Sequence, residues 1–188
     1  MINSANEVIE PGVIKNSPMT KNKFTLGEPD GTPSSRITAI SNWLEAHDVH
    51  APITETVRLE IWDKLLRNLA TSPICAMTGE PIGVVGRHPK LFATSRALMR
   101  EGLAVAKAHR IDVEDNFTGS YGTRPTSSHK SSMLQDFERN RPPEIDGILT
   151  SVQAFARAAE VPTPTVDAVT SLVIEKARRM GLYPKADW

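Results

Sequence analysis

The chain contains a single cysteine, Cys75, among its 188 residues. One thiol cannot form an internal disulfide, and it cannot supply a zinc site built from paired cysteines. Charge of one sign is not in excess either, because 22 Lys and Arg residues match 22 Asp and Glu residues. Without a basic excess to neutralise a phosphate backbone, nucleic acid is not expected as the main partner.

Long apolar runs are missing as well. The first residues carry neither the basic start nor the apolar run of about 7–15 residues that a secretory signal needs, and no stretch of about 18 apolar residues occurs anywhere. We therefore expect a soluble cytoplasmic protein with no membrane partner. The hydrophobic residues, 39% of the chain, are clustered, which predicts a folded core.

The pattern of the chain changes near Pro52, which divides it into residues 1–53 and 54–188. Most prolines and glycines of the first part stand in turn-like settings, whereas helical periodicity dominates the second part. We therefore expect a mainly α protein in which a small front piece precedes a helical domain.

The front piece predicts two short strands, at 7–10 and 23–26, with turn residues around them. A helix capped by Ser34 or Ser35 follows. Its apolar residues are predicted to share one face: Ile37, Ile40, Trp43 and Leu44. A piece made of two strands and one helix is too small to be a sheet domain by itself, which indicates the end of a larger unit.

The second part begins with an amphipathic helix predicted from about residue 54 to 77, with Pro73 as an interruption or kink. Its apolar stripe consists of Leu59, Trp62, Leu66 and Leu69. A further helix starts at Pro89, and three more are predicted over 132–140, 144–159 and 164–180. The stretch from Gly79 to Gly86 and the polar residues 110–130 are predicted to be loops.

Three polar residues of the long helix follow an i, i+4, i+8 spacing: Lys64, Asn68 and Ser72. At about 100° per residue, this spacing places their side chains along one strip of the helix. The strip lies away from the apolar stripe, so it is a candidate for the lining of a cleft. An ordinary solvated helix face has the same spacing, and the spacing alone favours that alternative.

A second polar patch runs from Ser131 to Asp146. Ser132 and Gln135 match a helix capping box, and Glu144 after two prolines favours a helix start with a negative charge near its positive end. Helix capping alone would account for most of this patch. Glu101, on the helix that starts at Pro89, is a weaker candidate for a supporting carboxylate, because a solvated helix glutamate is the more common case.

Four segments occur in a characteristic order along nearly the whole chain: Trp62-Asp-Lys-Leu-Leu-Arg-Asn, Ser131-Ser-Met-Leu-Gln-Asp, Glu144-Ile-Asp and Val161-Pro-Thr-Pro-Thr. As a set they resemble the ketopantoate reductase family (2-dehydropantoate 2-reductases). The segments that begin at Gly12 and Leu26 are similar to the closing strands of that family's nucleotide-binding domain. The resemblance implies a helical C-terminal domain of the ketopantoate reductase and 6-phosphogluconate dehydrogenase type, preceded by an incomplete α/β remnant of a Rossmann domain.

The resemblance also implies roles for individual residues. Lys64 is similar to the family's catalytic lysine, which polarises the ketone and delivers a proton to its oxygen as hydride reaches the carbon. Glu144 resembles the carboxylate that orders this lysine and the substrate hydroxyl. Asn68 and Ser132 resemble residues that hold the substrate, and Ser72 stands where many members have a second asparagine.

The reaction implied by the resemblance is NADPH-dependent reduction of a 2-keto acid, such as ketopantoate to pantoate in pantothenate biosynthesis. The chain has no Gly-x-Gly-x-x-Gly turn between a strand and a helix, which dinucleotide binding needs. We therefore expect it to lack the cofactor-binding half and to be incomplete as a catalyst alone. The alternative is a non-catalytic helical module of the same family that associates through apolar surface, for example as a homodimer.

Overall fold

The computed structural model describes residues 2–3, 6–16, 24–115, 117 and 128–184. These residues are mainly helical, as predicted. The chain divides into two compact units, Met1–Ile61 and Trp62–Trp188, and the division falls inside its longest helix. The boundary near Pro52, and the assignment of the front piece to a nucleotide-binding domain, stay predictions.

The strands described in the first unit form two separate two-stranded sheets. β1 (Ile2–Asn3) pairs antiparallel with β4 (Phe24–Thr25), and β2 (Asn6–Glu10) pairs antiparallel with β3 (Val13–Asn16). Gly12 lies in the turn between β2 and β3 with φ of 84°, a conformation that glycine adopts without strain. Both predicted strands are therefore present, and the second one is only two residues long.

Helix α1 (Ser35–Glu45) begins after Ser34, whose hydroxyl accepts a hydrogen bond from the Ile37 N–H at 3.1 Å. Ile37 is buried, whereas Ile40 and Trp43 are 46% and 63% exposed. The predicted apolar face is thus only partly covered within this unit. Its core is small and consists of Leu26, Ile37 and Ala51, with Leu44 packed against it.

The second unit is helical in its described part. Its elements are α2 (Val57–Thr78, which begins in the first unit), α3 (Ile82–Arg87), α4 (Pro89–Ala108), α5 (Ser132–Glu138), a π-helical turn (Asp146–Thr150) that continues into α6 (Ser151–Ala158), and α7 (Pro164–Arg179). Each of them contributes buried side chains to one hydrophobic core. Across the part of the chain that the structure describes, no helix has the length and apolar character needed to cross a membrane.

Helix α2 buries three of the four residues of its predicted stripe, Trp62, Leu66 and Leu69, while Leu59 is 36% exposed. The helix continues through Pro73, so an interruption at this proline is wrong, and a kink there stays a prediction. Proline removes one backbone hydrogen bond from a helix. Here the three residues that follow it are all buried in the core, and their packing keeps the segment helical.

The stretch from Gly79 to Gly86 is only in part the predicted loop. Gly79, with φ of 75°, ends α2, but residues 82–87 form helix α3. Gly83 and Val85 are buried, and the Ile82 N–H donates to the His129 carbonyl at 3.0 Å. Burial and a long-range backbone contact therefore override the low helix propensity of glycine.

The predicted loop over 110–130 lies partly outside the described residues. Its described residues 111–115 and 128–130 are irregular. Asp115 pairs with Arg96 of α4 at 2.7 Å, and the hydrogen bond from this guanidinium lowers the pKa of the Asp115 carboxyl. Phe117 is helical, so the prediction of a loop is wrong at this position. It is buried against Phe92, with ring centroids 5.3 Å apart, and it thereby anchors its segment to α4.

Candidate functional site

The polar strip of α2 runs from the surface into the interior. Lys64 is exposed, Asn68 is half-buried, and Ser72 is only 2% exposed. Because α2 is one continuous helix, the three residues keep the spacing that places them along one strip. An ordinary solvated helix face would expose all three residues. The burial of Ser72 therefore excludes that alternative for the inner end of the strip.

The inner end of the strip meets the start of α5. The Ser131 hydroxyl donates to the Ser72 carbonyl at 3.4 Å and accepts from the Leu134 N–H at 3.3 Å. Ser131, not Ser132, is therefore the N-cap of α5, and the predicted capping box of Ser132 with Gln135 is wrong. The Gln135 side chain donates instead to the Lys130 carbonyl at 2.9 Å.

This cap leaves Ser132 exposed in the first turn of α5, directly after the residue that touches α2. The capping hydroxyl is occupied by backbone groups, whereas the neighbouring hydroxyl faces outward. Capping therefore does not account for the Ser132 hydroxyl, and its role in holding a substrate stays a prediction.

Cys75 lies one turn beyond the strip and is fully buried. Burial raises the pKa of its thiol from 9.0 to about 11, and a hydrogen bond with Ser131 opposes this rise. A buried thiol that remains protonated is a poor nucleophile. Its contact with Ser131 therefore marks the packing between α2 and α5 and not a reactive centre.

Glu144 stands immediately before Ile145, the first helical residue of the segment that leads into α6. The side chain is exposed, and its carboxylate has no hydrogen-bond or ion-pair partner among the described residues. The start of a helix carries partial positive charge, which favours a carboxylate there. Glu144 is therefore a negative charge at a helix start whose acceptor atoms are available to a ligand.

The turn that follows Glu144 is anchored by its neighbour Asp146. The Asp146 carboxylate accepts from the Tyr183 hydroxyl at 2.6 Å and from the Thr150 hydroxyl at 2.9 Å. The hydrogen bond with Asp146 is the main cause of the raised pKa of Tyr183, and partial burial adds to it. These contacts fix the backbone that carries Glu144 while leaving its own side chain uncommitted.

Glu101 has a structural role. Its two carboxylate oxygens accept from the Thr165 N–H at 3.0 Å and from the Val166 N–H at 2.9 Å. These backbone donors belong to the first turn of α7, whose own N-cap residue, Thr163, makes no capping hydrogen bond with its side chain. Glu101 thus caps α7 from a distant helix, and the expectation of a solvated glutamate is wrong.

The structure brings Ser72 and the Ser131–Ser132 pair together through the hydrogen bond described above. It also packs α2 against α6, because the ring centroids of Trp62 and Phe155 are 5.3 Å apart. That Glu144 orders Lys64, as the resemblance implies, stays a prediction.

An open cleft of about 610 Å³ lies within the first unit, and none of the predicted site residues lines it. Glu28 on its wall accepts hydrogen bonds from the Arg36 guanidinium and the Ser34 hydroxyl, both at 2.5 Å. The bond with Arg36, followed by that with Ser34, lowers the pKa of Glu28. These charges bind each other and hold the start of α1 to the preceding turn.

The described residues do not fit a dinucleotide. Their named strands pair antiparallel in two-stranded sheets, and one parallel bridge joins Leu26 to Ile53 on either side of α1. A dinucleotide fold also needs a glycine-rich turn that leads from a strand into a helix, and the described residues contain no such turn. In the same ranges no group of three or more histidine, cysteine, aspartate or glutamate side chains is placed to hold a metal ion.

Residues 56–177 match the family model described as "Ketopantoate reductase PanE/ApbA C terminal". The chain is 37% identical over 183 residues to a 2-dehydropantoate 2-reductase of Mesorhizobium japonicum, and the match covers 95% of this chain and 55% of that protein. The chain thus spans about half the length of the curated relatives it matches.

Solved structures agree with this match. A ketopantoate reductase structure from Ralstonia solanacearum is 30% identical with a TM-score of 0.82, over 95% of this chain and 54% of that one. Two structures at 18% identity share the fold. One is a D-mandelate dehydrogenase solved with NADH and anilino(oxo)acetate (TM-score 0.77, 87% and 69% covered), and the other is a dimeric ketopantoate reductase from Staphylococcus aureus (TM-score 0.74, 85% and 55% covered).

The family match extends over well more than half of the chain and coincides with its helical part, from the start of α2 almost to the end of α7. The order of the polar motifs and the sequence relatives indicate the same assignment. The chain belongs to the ketopantoate reductase family, and residues 56–177 form that family's C-terminal domain.

Proposed function

We propose that the helical unit is the substrate-holding part of an NADPH-dependent 2-keto acid reductase. In the balanced reaction the keto carbon of 2-dehydropantoate gains a hydride and its oxygen gains a proton, which gives pantoate while NADPH becomes NADP⁺. The observation that carries the proposal is the polar strip of α2. The strip leads from exposed Lys64 to buried Ser72, whose carbonyl contacts Ser131 at the start of α5. Family membership supports the choice of substrate class.

Lys64 is assigned the role of general acid. An ammonium group beside a ketone stabilises the negative charge that develops on the oxygen and donates the proton that completes the alcohol. The exposed position of Lys64 on α2 allows a small keto acid to reach it. Asn68, one turn further along the strip, supplies an amide for orientation of the substrate.

Glu144 and Ser132 are assigned to the opposite side of the substrate. The Glu144 carboxylate is uncommitted among the described residues, so it can accept hydrogen bonds from the lysine ammonium and from a substrate hydroxyl. Ser132 offers a hydroxyl in the first turn of α5 for the polar end of the acid. Ser72 replaces a longer amide found in many family members, so the substrate preferred by this chain need not be ketopantoate.

The cofactor is assigned to the part of the longer relatives that this chain does not span. This assignment follows from the absence of a dinucleotide fit among the described residues. A keto-acid class of substrate and a nicotinamide cofactor are also consistent with the D-mandelate dehydrogenase of the same fold, which was solved with NADH and anilino(oxo)acetate.

The test is to supply the unmatched N-terminal portion of the Mesorhizobium japonicum relative, in trans or fused to this chain, and to follow NADPH oxidation with 2-dehydropantoate. We call this assembly the reconstituted reductase. Turnover that falls at least about 100-fold in Lys64→Ala, but not in the exposed control Lys107→Ala, is expected. Absence of turnover, or turnover that Lys64→Ala leaves unchanged, contradicts the proposal.

A second candidate function is a non-catalytic helical module that associates through apolar surface. It is favoured by the exposed apolar residues Ile40 and Trp43 on α1. A dimer is known for the Staphylococcus aureus relative. Light scattering on the purified chain separates the two candidates, because a monomer that supports turnover in the reconstituted reductase contradicts the non-catalytic module.

A further inference from the structure

The Glu144 side chain lies directly over Gly147. A Cβ atom built on Gly147 would stand 2.7 Å from Glu144 Oε1, 3.0 Å from Cγ and 3.2 Å from Cδ. Real Cβ atoms essentially never approach another heavy atom to 2.7 Å. The carboxyl group therefore occupies the space that any other residue at position 147 would fill.

The backbone at position 147 gives no reason for glycine. Gly147 lies inside the π-helical turn and is not among the residues with positive φ, so its conformation is open to every L-amino acid. Glycine inside a helix is less favourable than alanine. Gly147 therefore contributes neither helix stability nor a special backbone conformation. What it does provide is the space that a side chain at this position would fill.

We propose that Gly147 is a positioning residue for Glu144. The missing side chain at 147 lets the carboxyl fold back against the first turn of its own helix, where it can face the substrate and Lys64. This inference rests on the proposed function, because the position of the Glu144 carboxylate affects catalysis only if Glu144 takes part in the reaction.

The surrounding contacts decide what moves when the space is filled. The turn is held by Asp146 with Tyr183 and Thr150, and the Ser151 hydroxyl donates to the Gly147 carbonyl at 2.9 Å. The Glu144 side chain has no such restraint among the described residues. A new methyl group at 147 should therefore displace the flexible carboxyl and leave the backbone in place.

Gly147→Ala is consequently expected to separate stability from catalysis. The melting temperature should stay the same or rise by up to about 2–4 °C, because alanine is the better helix former. The kcat/KM of the reconstituted reductase should fall about 10- to 100-fold, the size expected when a catalytic group is displaced by about 1 Å. Ser151→Ala removes a contact of the same turn without touching the carboxyl, and it serves as the matched control with near-normal kcat/KM.

A double-mutant cycle tests the route of this effect. Wild type, Gly147→Ala, Glu144→Ala and the double variant are compared for kcat/KM and for melting temperature. If Gly147 acts through Glu144, Gly147→Ala has no further effect on kcat/KM once the Glu144 side chain is gone. A crystal structure of Gly147→Ala with a displaced carboxyl and an unchanged backbone would support the same conclusion.

The outcomes distinguish this inference from the proposed function. If Glu144→Ala lowers kcat/KM and Gly147→Ala does not, the inference is overturned and the proposed function stands. If Gly147→Ala lowers kcat/KM equally in both backgrounds, or lowers the melting temperature by several degrees, its role is structural and the inference is again overturned. If Glu144→Ala leaves kcat/KM unchanged, both the inference and the assigned role of Glu144 are wrong.

Discussion

Two regions of the helical unit carry charged residues of the same types, one at interior helix ends and the other at the surface. At the interior helix ends, Glu101 accepts two backbone N–H groups of α7, and the Lys176 ammonium donates to the Ala76 carbonyl near the end of α2. At the surface, Lys64 and Glu144 are exposed, and Glu144 has no partner among the described residues. The first region satisfies the polar ends of helices, and the second is the candidate site.

The difference shows that residue type and helix spacing do not separate structural from functional charges. Lys176 also lies 4.7 Å from the centre of the Phe137 ring, so its ammonium interacts with both a carbonyl and an aromatic face. A charge committed in this way stabilises the fold and has little left for a ligand. The two regions should therefore respond to substitution in opposite ways.

The largest expected effect is a crossed pair of lysine substitutions. Lys64→Met should lower the kcat/KM of the reconstituted reductase about 100- to 10,000-fold, which is about 3–5 kcal/mol in the transition state, with little change in stability. Lys176→Met should do the reverse and lower the free energy of unfolding by about 1–2 kcal/mol with near-normal kcat. Steady-state kinetics and urea unfolding measure the two effects. Equal activity losses in both variants would contradict the assignment of Lys64 to the site and of Lys176 to the fold.

The next effect concerns the thiol at the inner end of the strip. The pKa of Cys75 is raised from 9.0 to about 11 by burial. Between about pH 9 and pH 11 the unfolded chain has lost this proton and the folded chain still holds it, so the free energy of unfolding falls as the pH rises. The loss amounts to about 2–3 kcal/mol and is complete above about pH 11.

Cys75→Ala isolates this contribution, since other groups titrate equally in both proteins. The small cavity left by the substitution costs stability at every pH, but the difference between wild type and variant should shrink across the alkaline window. Urea unfolding at a series of pH values measures it. Parallel curves for the two proteins would show that the thiol does not titrate differently on folding.

A smaller effect is expected for Glu101→Gln, which tests the structural role of the charges at the interior helix ends. The amide retains one acceptor oxygen, so one of the two N–H groups of α7 loses its partner and the charge at the helix start is removed. We expect the free energy of unfolding to fall by about 1–2 kcal/mol, within the range for helix caps. Hydrogen exchange at Thr165 and Val166 should quicken first, and unchanged protection there would mean that the carboxylate does not cap α7.

Helical periodicity predicts the parts of this fold that depend on local pattern. The buried stripe of α2 follows from the spacing of Trp62, Leu66 and Leu69, and the polar strip follows from the same arithmetic. Helix α3 could not be predicted in this way, because Gly83 and Val85 are buried by contacts that the local sequence does not contain. Periodicity likewise predicts an apolar face on α1 without showing that Trp43 remains exposed.

In the candidate site as well, local sequence predicts some features and long-range contacts determine the others. Lys64, Asn68 and Ser72 fall on one strip because they share a helix, which is local information. The roles of Ser131 and Glu101 depend on contacts with residues 59 and 64 or 65 positions away. The sequence therefore predicts the cap of α5 one residue too late, and it predicts a solvated side chain where Glu101 caps α7.

The adjacent serines of α5 give the smallest and most local test of the comparison. Ser131→Ala removes the N-cap and the hydrogen bond to the Ser72 carbonyl, so the free energy of unfolding should fall by about 1 kcal/mol. Ser132→Ala should leave stability nearly unchanged and raise the KM for the keto acid about 3- to 10-fold, the value of one neutral hydrogen bond. Because each variant replaces one serine of the same pair by alanine, an effect of the replacement itself would appear in both. A raised KM confined to Ser131→Ala would instead place the substrate contact on the buried serine and move the site inward along α2.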